Sequence, residues 1–152
     1  MIHQRVGTEH LFLDRISVDN LFSGLDQHVR KELTSIERPL RFLPNEIVFA
    51  TGDQPRFIYI HRQGRVAHFQ QDGIREIIFA CPVVADRFYG LIEVLSGNTF
   101  NASMKTLTDN EFEVIHRDEF LAFIQEQPVL CFRLAEIISR LYQTALLTLK
   151  SH

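Results

Sequence analysis

The segment from Phe88 to Thr106, which reads FYGLIEVLSGNTFNASMKT, bears most directly on chemistry in this 152-residue chain. Its Leu95-Ser96-Gly97 run is typical of a loop that turns tightly. The segment contains no arginine, its one carboxylate is Glu93 and its one cation is Lys105. Buried anions are normally held by charge-assisted hydrogen bonds, most often from arginine. The residue types therefore argue against a phosphate site in this segment.

The other residues of chemical interest form no catalytic or metal-binding pattern. The seven histidines are scattered and include no His-x-His pair of the cupin type, so metal-dependent oxygenase chemistry is not expected. Cys81-Pro82 is compatible with an axial haem thiolate, although such pairs are also common in turns. Cys81 and Cys131 are too few for a four-thiolate cluster and match no disulfide framework or zinc motif. We expect no enzymatic activity, no metal and no cofactor.

Short apolar runs separated by turn residues, at intervals of about ten positions, predict an antiparallel β-roll or barrel. Pro44-Asn45 and Gly52-Asp53 are turn pairs, and asparagine is one of the few residues other than glycine that tolerates a positive φ. Gly64 separates two alternating runs as a hairpin turn does. His61 and His68 stand on either side of it and are expected to face solvent.

These elements follow one another in a specific order. Phe42–Phe49 (FLPNEIVF) is followed by Gly52-Asp53, then by Phe57–Ile60 (FIYI) and Gly64–Val66 (GRV), and Gln125–Pro128 (QEQP) precedes the last apolar segment. This order resembles the cyclic-nucleotide-binding domains of the catabolite activator (Crp/Fnr) superfamily, and the resemblance runs from about Leu21 to the C-terminus.

The resemblance implies a mainly β fold with flanking helices, in which an antiparallel, jelly-roll-like β-roll is accompanied by a long C-terminal helix. We expect one domain over residues 1–152. Within it we expect an N-terminal helical segment at 17–35, the roll at 36–116 and C-terminal helices at 118–150.

The resemblance also implies a place for the phosphate-binding cassette, a short helix that opens with Gly-Glu and is followed about ten residues later by an arginine before Ser/Thr-Ala. If Gly90 is the opening glycine, Leu91 takes the glutamate position; if Gly90 lies inside the helix, that position falls on Phe88. The arginine position falls among residues 98–101, which read NTFN. Lys105 lies beyond them on a strand, with its direction undetermined. Neither register restores the ionic contacts.

In the C-terminal helix, the positions that reach the purine in the family fall near Ala145 and Leu146, both apolar. Two interpretations of the pocket stay open. Either Leu91, Val94, Leu95 and Phe100 collapse inward and fill it, or a small apolar or weakly polar effector binds there. The candidate pocket residues are Phe88, Tyr89, Gly90, Leu91, Ile92, Asn98, Phe100, Asn101 and Ser103.

Charge and composition restrict the partners. The net charge is −3, and no clustered Lys and Arg suggest a nucleic-acid footprint. The helix-turn-helix domain that follows the long helix in the family is not found in this sequence, so we expect no direct nucleic-acid binding; whether such a domain was removed stays open. No segment approaches the roughly 20 apolar residues of a membrane span. Met1–Leu13 lacks a signal-peptide pattern, and we expect a cytoplasmic protein.

The last apolar segment begins at Pro128, a residue suited to the first turn of a helix. Its apolar residues repeat at alternating spacings of three and four, which is typical of a coiled-coil seam. We therefore expect a homodimer through this helix, although periodicity alone also fits a helix that lies on its own domain. The seam residues are Cys131, Leu134, Ile138, Leu141, Ala145 and Thr148. The sequence and the resemblance thus predict a non-enzymatic regulatory and dimerisation domain that does not bind cAMP or cGMP in the family's usual way. The alternative is a functional ligand-binding domain of a transcription regulator, with a cyclic nucleotide or another small effector as its ligand.

Overall fold

The computed structural model describes residues 16–72, 75–80 and 86–150, in which two antiparallel four-stranded sheets are flanked by helices. The predicted fold class is confirmed. The helices are α1 (Val18–Phe22), α2 (Gln27–Ser35), α3 (Leu91–Ser96), α4 (Arg117–Gln125) and α5 (Pro128–Lys150). The strands are β1 (Arg38–Phe42), β2 (Ile47–Phe49), β3 (Phe57–Gln63), β4 (Val66–Asp72), β5 (Arg75–Ala80), β6 (Arg87–Tyr89), β7 (Ser103–Thr106) and β8 (Asn110–His116).

The chain crosses between the two sheets at Gly64. One sheet has the strand order β1-β8-β3-β6 and the other has the order β2-β7-β4-β5, so β3 and β4 are not paired. The prediction that Gly64 closes a hairpin is therefore wrong. Gly64 has a φ of +106°, and a Cβ placed on it would lie 2.4 Å from the backbone oxygen of Asp109. The crossover needs a glycine for both its backbone conformation and its lack of a side chain. Asn45 does adopt a positive φ, of 64°.

Strand β3 is buried on both faces because helices cover one face of its sheet and the second sheet covers the other. Ile58 and Ile60 join an apolar cluster formed with α1, α2, α4 and α5. Tyr59 points the other way, into a second cluster between the sheets that also holds Met104 and Phe112. Successive side chains of a strand point to opposite faces, so the continuous apolar run of β3 follows from its central position.

His61 and His68 are each only 2% exposed, so the prediction that they face solvent is wrong. His61 lies two residues after Tyr59 on β3, and His68 lies two residues after Val66 on β4. Because Tyr59 and Val66 belong to the cluster between the sheets, both histidines point toward that cluster. The His61 ring stacks on Phe112 with centroids 4.8 Å apart, and its Nε2 lies 2.7 Å from Oδ1 of Asn110.

Helices α4 and α5 begin with residues that suit helix N-termini. The Nδ1 atom of His116 accepts a hydrogen bond from the backbone N–H of Asp118, and Asp118 and Glu119 occupy the first turn of α4, where negative charge is favourable. Pro128 begins α5, as expected. No helix among the described residues is both long and apolar enough to cross a bilayer.

We expect Gly64→Ala to lower the free energy of unfolding by about 2–4 kcal/mol, because it adds both a steric conflict and an unfavourable φ. Gly24 is a matched control, since its φ is +75° but nothing lies within 4 Å of a Cβ placed there. Gly24→Ala should cost only about 1 kcal/mol. Urea unfolding of the two variants measures the difference, and equal losses would contradict the crowded geometry at Gly64.

Burial lowers the pKa of His61 from its ordinary value of 6.5. A depressed pKa means that the folded state resists protonation, so stability is fully present above pH 6.5 and is lost as the pH falls below it. We expect the free energy of unfolding to fall more steeply between pH 7.5 and pH 5 in the unmodified protein than in His61→Gln. His68 is present in both proteins and its contribution cancels. The exposed His28 provides a matched control substitution, and an equal change of slope in His28→Gln and His61→Gln would contradict the assignment to the buried His61 ring.

Candidate functional site

Two glycines with positive φ delimit α3. Gly90 precedes the helix with a φ of +83°, and Gly97 follows it with a φ of +80° and donates its N–H to the carbonyl of Glu93. A Cβ on Gly90 would lie 3.1 Å from the backbone oxygen of Phe57 and 3.2 Å from the Phe100 ring. Because the helix begins directly after Gly90, the backbone matches the first of the two registers. Leu91 then stands at the glutamate position, and Phe100, which precedes Asn101-Ala102, stands at the arginine position.

The short α3 helix is held against the rest of the domain from both sides. Leu91 and Val94 are buried in the cluster that the helices share with β3. Nε of Arg117, the first residue of α4, donates a hydrogen bond of 3.0 Å to the carbonyl of Val94. This contact satisfies one of the carbonyls that the end of a short helix leaves unpaired. Arg117 therefore positions the cassette, a role that sequence reasoning missed.

Phe100 points into the space between the sheets, where it is 4% exposed. Its ring stacks on Phe49 with centroids 4.0 Å apart and an interplanar angle of 20°. Its backbone is fixed as well, since its N–H donates to the carbonyl of Asp53 and its carbonyl accepts from the N–H of Gly52. The Gly52-Asp53 turn thus holds the phenyl ring in the interior.

A cavity of about 180 Å³ lies beside this stack. The structure brings eight of the nine predicted pocket residues around it. Ser103 is the exception, because its hydroxyl faces Thr51 and accepts a 2.8 Å hydrogen bond from the Thr51 N–H. The sequence-predicted residues in the lining are Phe88, Tyr89, Gly90, Leu91, Ile92, Asn98, Phe100 and Asn101.

Seven further residues line the cavity and were not among those predicted. His68 could have been found, because the period of two from Val66 gives it an inward direction on β4. Phe49 and Ile16 carry no local signal, since they reach the cavity only through the pairing of distant segments. The additional lining residues are Ile16, Phe49, His68, Glu93, Ser96, Thr99 and Ala102.

The charge of this cavity is opposite to that of an anion site. Among the described residues that line it there is one carboxylate, Glu93, and no lysine or arginine. Burial raises the pKa of Glu93. Lys105 lies on the other face of β7 from the fully buried Met104, with Nζ 5.6 Å from the centroid of the Phe69 ring. It does not line the cavity.

The Phe49–Phe100 stack also forms the wall of a second cavity. This cavity has a volume of about 290 Å³, and Asp53, Arg56 and Tyr59 are among the residues on its side of the stack. Burial and the nearby Asp53 carboxylate raise the pKa of Tyr59 to about 12, so its hydroxyl stays protonated at neutral pH. The two phenyl rings therefore separate two spaces with different polarity.

Other predicted positions lie away from the cavity. Ala145 and Leu146, at the family's purine-contacting positions, do not line it. Within residues 16–72, 75–80 and 86–150, no group of three or more His, Cys, Asp or Glu side chains is arranged to hold a metal ion. Cys81-Pro82 lies outside the described residues.

The predicted seam residues of α5 do not share one environment. Leu134 is 4% exposed within the core of its own domain, and Ile138 and Leu141 are partly buried against that core. Ala145 is half-buried, and the side chain of Thr148 is outside the described part of the chain. Some of the exposed apolar residues form a second stripe, which shares Cys131 with the predicted seam and otherwise lies beside it. This stripe consists of Cys131, Ala135, Tyr142, Leu146 and Leu149, with spacings of four, seven, four and three. Val129, Phe132 and Leu147 are also exposed but lie on other sides of the helix.

Comparison with known proteins matches residues 39–127 to the family described as cyclic nucleotide-binding domain. The cyclic nucleotide-gated channel cone photoreceptor subunit alpha of Gallus gallus is 24% identical over an alignment of 126 residues, and the match covers 78% of this chain and 17% of the channel subunit. This chain thus spans a small part of that relative.

Solved structures agree with the fold. The catabolite activator protein of Thermus thermophilus has a TM-score of 0.74 at 23% identity, over 86% of this chain and 62% of that one. The N-terminal domain of a transcriptional regulator from Streptomyces coelicolor A3(2) has a TM-score of 0.69 at 18% identity, over 84% of this chain and 89% of that one. Since the family match covers more than half of the sequence, the chain belongs to the cyclic nucleotide-binding domain family.

Proposed function

We propose that this chain is a non-enzymatic regulatory and dimerisation domain that does not hold cAMP or cGMP in the usual way of its family. The observation that carries this proposal is the position of Phe100. It stands where the family places the phosphate-binding arginine, and it is buried in a stack with Phe49. A regulatory domain can still transmit a signal through its helices or through a different effector.

This cassette lacks two charged side chains, each of which forms a charge-assisted hydrogen bond to the nucleotide in the family. A hydrogen bond to a charged group is worth about 1.5–3 kcal/mol. Phe100 in place of the arginine and Leu91 in place of the glutamate remove two such contacts. Their loss corresponds to a weakening of roughly 10²–10⁴-fold in affinity. A cyclic phosphate beside Phe49 and Phe100 would also be desolvated without a counter-charge, which adds to the cost.

The size of the cavity supports the same proposal. Sites for ligands of drug size have volumes of about 300–1,000 Å³, whereas this cavity has about 180 Å³. Leu91 and Phe100 are buried and line the cavity, as expected if the family's pocket is partly filled. Val94 packs instead in the cluster of the helices, and Leu95 is only half-buried. A cyclic nucleotide would therefore have to displace Phe49, Phe100 or both.

Dimerisation through α5 is supported by the apolar side chains that its own domain leaves uncovered. Tyr142 is 63% exposed and Leu149 is 55% exposed. Together with Ala135 and Leu146 they follow the spacing of three and four that brings residues onto one helix face. A second copy of the same helix would cover this face around a two-fold axis, which is the commonest symmetry of homodimers. The pairing face is then next to the predicted seam rather than on it.

We propose further that this chain makes no direct contact with nucleic acid, because its net charge of −3 does not favour a polyanion. Regulation by the chain would then act through the segments joined to it in a longer protein or through a partner protein. A location in the cytoplasm is part of the same proposal.

We expect cAMP and cGMP to bind with millimolar dissociation constants or not at all, as measured by isothermal titration calorimetry. The double variant Leu91→Glu/Phe100→Arg should gain at least about tenfold in cAMP affinity, because it restores both ionic contacts. Leu91→Glu/Asn98→Arg is the matched control. Asn98 is exposed at the rim, so an arginine there should give a smaller gain.

A low-micromolar dissociation constant for the unmodified protein would contradict the proposal. If the control gained as much as the Phe100 variant, the assignment of Phe100 to the arginine position would be wrong.

We expect the unmodified protein to be a dimer at micromolar concentrations in sedimentation equilibrium, and Tyr142→Glu/Leu149→Glu to be largely monomeric. Burying a carboxylate in an apolar interface without a partner should weaken dimerisation by about 3 kcal/mol, or roughly a hundredfold. Leu147→Glu is the control, because Leu147 is 67% exposed on a different side of the same helix. A monomeric unmodified protein, or equal weakening by Leu147→Glu, would contradict the proposed face.

A further inference from the structure

We infer that the cavity beside α3 takes a small cationic ligand, an amine attached to a single ring, whose ammonium group contacts the Glu93 carboxylate. This inference rests on the proposed function, because the cavity cannot bind this ligand while a cyclic nucleotide occupies it in the family's usual way. The three observations behind it are the charge of the lining, the aromatic walls and the volume.

The charge of the lining favours a cation. Glu93 is half-buried on α3 and lines the cavity, and it forms no ion pair with any described residue. The hydrogen-bond donor that contacts the Glu93 carboxylate is the backbone N–H of Glu93 itself. Burial without a counter-charge raises the pKa of Glu93, because the charged form is poorly solvated. An ammonium group at hydrogen-bond distance would supply the missing counter-charge.

The aromatic walls favour the same ligand charge. Phe49, Phe88, Tyr89 and Phe100 all line the cavity. The face of an aromatic ring carries negative electrostatic potential and attracts cations placed over it. An anionic ligand would meet these aromatic side chains and the Glu93 carboxylate with no compensating lysine or arginine among the described lining residues. The lining therefore disfavours an anion, whereas the family's cassette binds an anionic phosphate.

The volume restricts the size of the ligand. A buried apolar cavity of about 150 Å³ can hold one benzene molecule, and this cavity has about 180 Å³. One ring with a short alkyl amine therefore fits, whereas a nucleoside does not. Asn98 and Thr99 are exposed where they line the cavity, so they form its rim and can bond to a further polar group of the ligand.

Three probes of nearly the same shape separate charge from size: phenethylamine, 2-phenylethanol and phenylacetate. We expect phenethylamine to raise the melting temperature of the full chain and to bind about tenfold or more tightly than the alcohol, since it adds a charge-assisted hydrogen bond. Phenylacetate should produce no shift. Equal binding of amine and alcohol, or tighter binding of phenylacetate, would overturn the inference without any variant being made.

The variant Glu93→Gln keeps the shape of the side chain and removes its charge. It should weaken phenethylamine binding about tenfold, to the level of the alcohol, while alcohol binding stays unchanged. Glu119→Gln is a matched control, because Glu119 is also the third residue of a helix but is exposed and remote from the cavity. Unchanged amine binding by Glu93→Gln, or equal weakening by Glu119→Gln, would overturn the role of Glu93.

Titration with cAMP in the same assay distinguishes failure of this inference from failure of the proposed function. If none of the four compounds binds, the cavity is closed; the inference is then wrong, while the proposed function stands. If cAMP binds at low micromolar concentration, the proposed function is wrong and the inference falls with it.

Discussion

The stack of Phe49 on Phe100 is the contact on which the site depends. Phe49 belongs to one sheet and Phe100 to the cassette, and the Gly52-Asp53 turn fixes the backbone of Phe100 from both its N–H and its carbonyl. The stack and these hydrogen bonds therefore join two segments that are distant in sequence, residues 49–53 and the cassette. Because the rings are held by backbone hydrogen bonds as well as by their own burial, they form a fixed aromatic wall of the cavity at the position proposed for the family's arginine.

Local patterns in the sequence predicted the elements but not their arrangement. Turn residues such as Asn45, the short apolar runs and Pro128 at the start of α5 are short-range signals, and they identified the fold class. The placement of β3 and β4 in separate sheets is set by long-range pairing instead. A strand pattern shows which residues share a face but not what covers that face. For that reason His61 and His68 were assigned to solvent, although both lie on the faces that the two sheets turn toward each other.

The sequence showed that the cassette lacks the family's arginine and glutamate, but it did not show which distant side chains pack against the cassette. The missing arginine and glutamate could be recognised from residues 88–106, because both of the family's contacts lie within this one short segment. The contacts of Phe49 and Arg117 with the cassette could not be predicted, because both residues lie far from it in sequence. The same reason explains the shift of the exposed face on α5. The periodicity predicted an apolar stripe on α5, but only the tertiary structure shows that Leu134 packs in the core of its own domain.

The stack also restricts how this sequence can evolve. If an ancestor carried an arginine at position 100, its change to phenylalanine would have given up a charged contact and gained a buried ring partner in Phe49. The reverse change is no longer the simple reversal of that step, because an arginine placed beside Phe49 would lose the stack and bury a charge before any ligand was present to pair with it. Single substitutions back toward nucleotide binding therefore pass through less stable proteins. Under the proposed function, packing of this kind would make the loss of an ancestral ligand self-reinforcing, through epistasis between two aromatic side chains rather than through selection on the ligand itself.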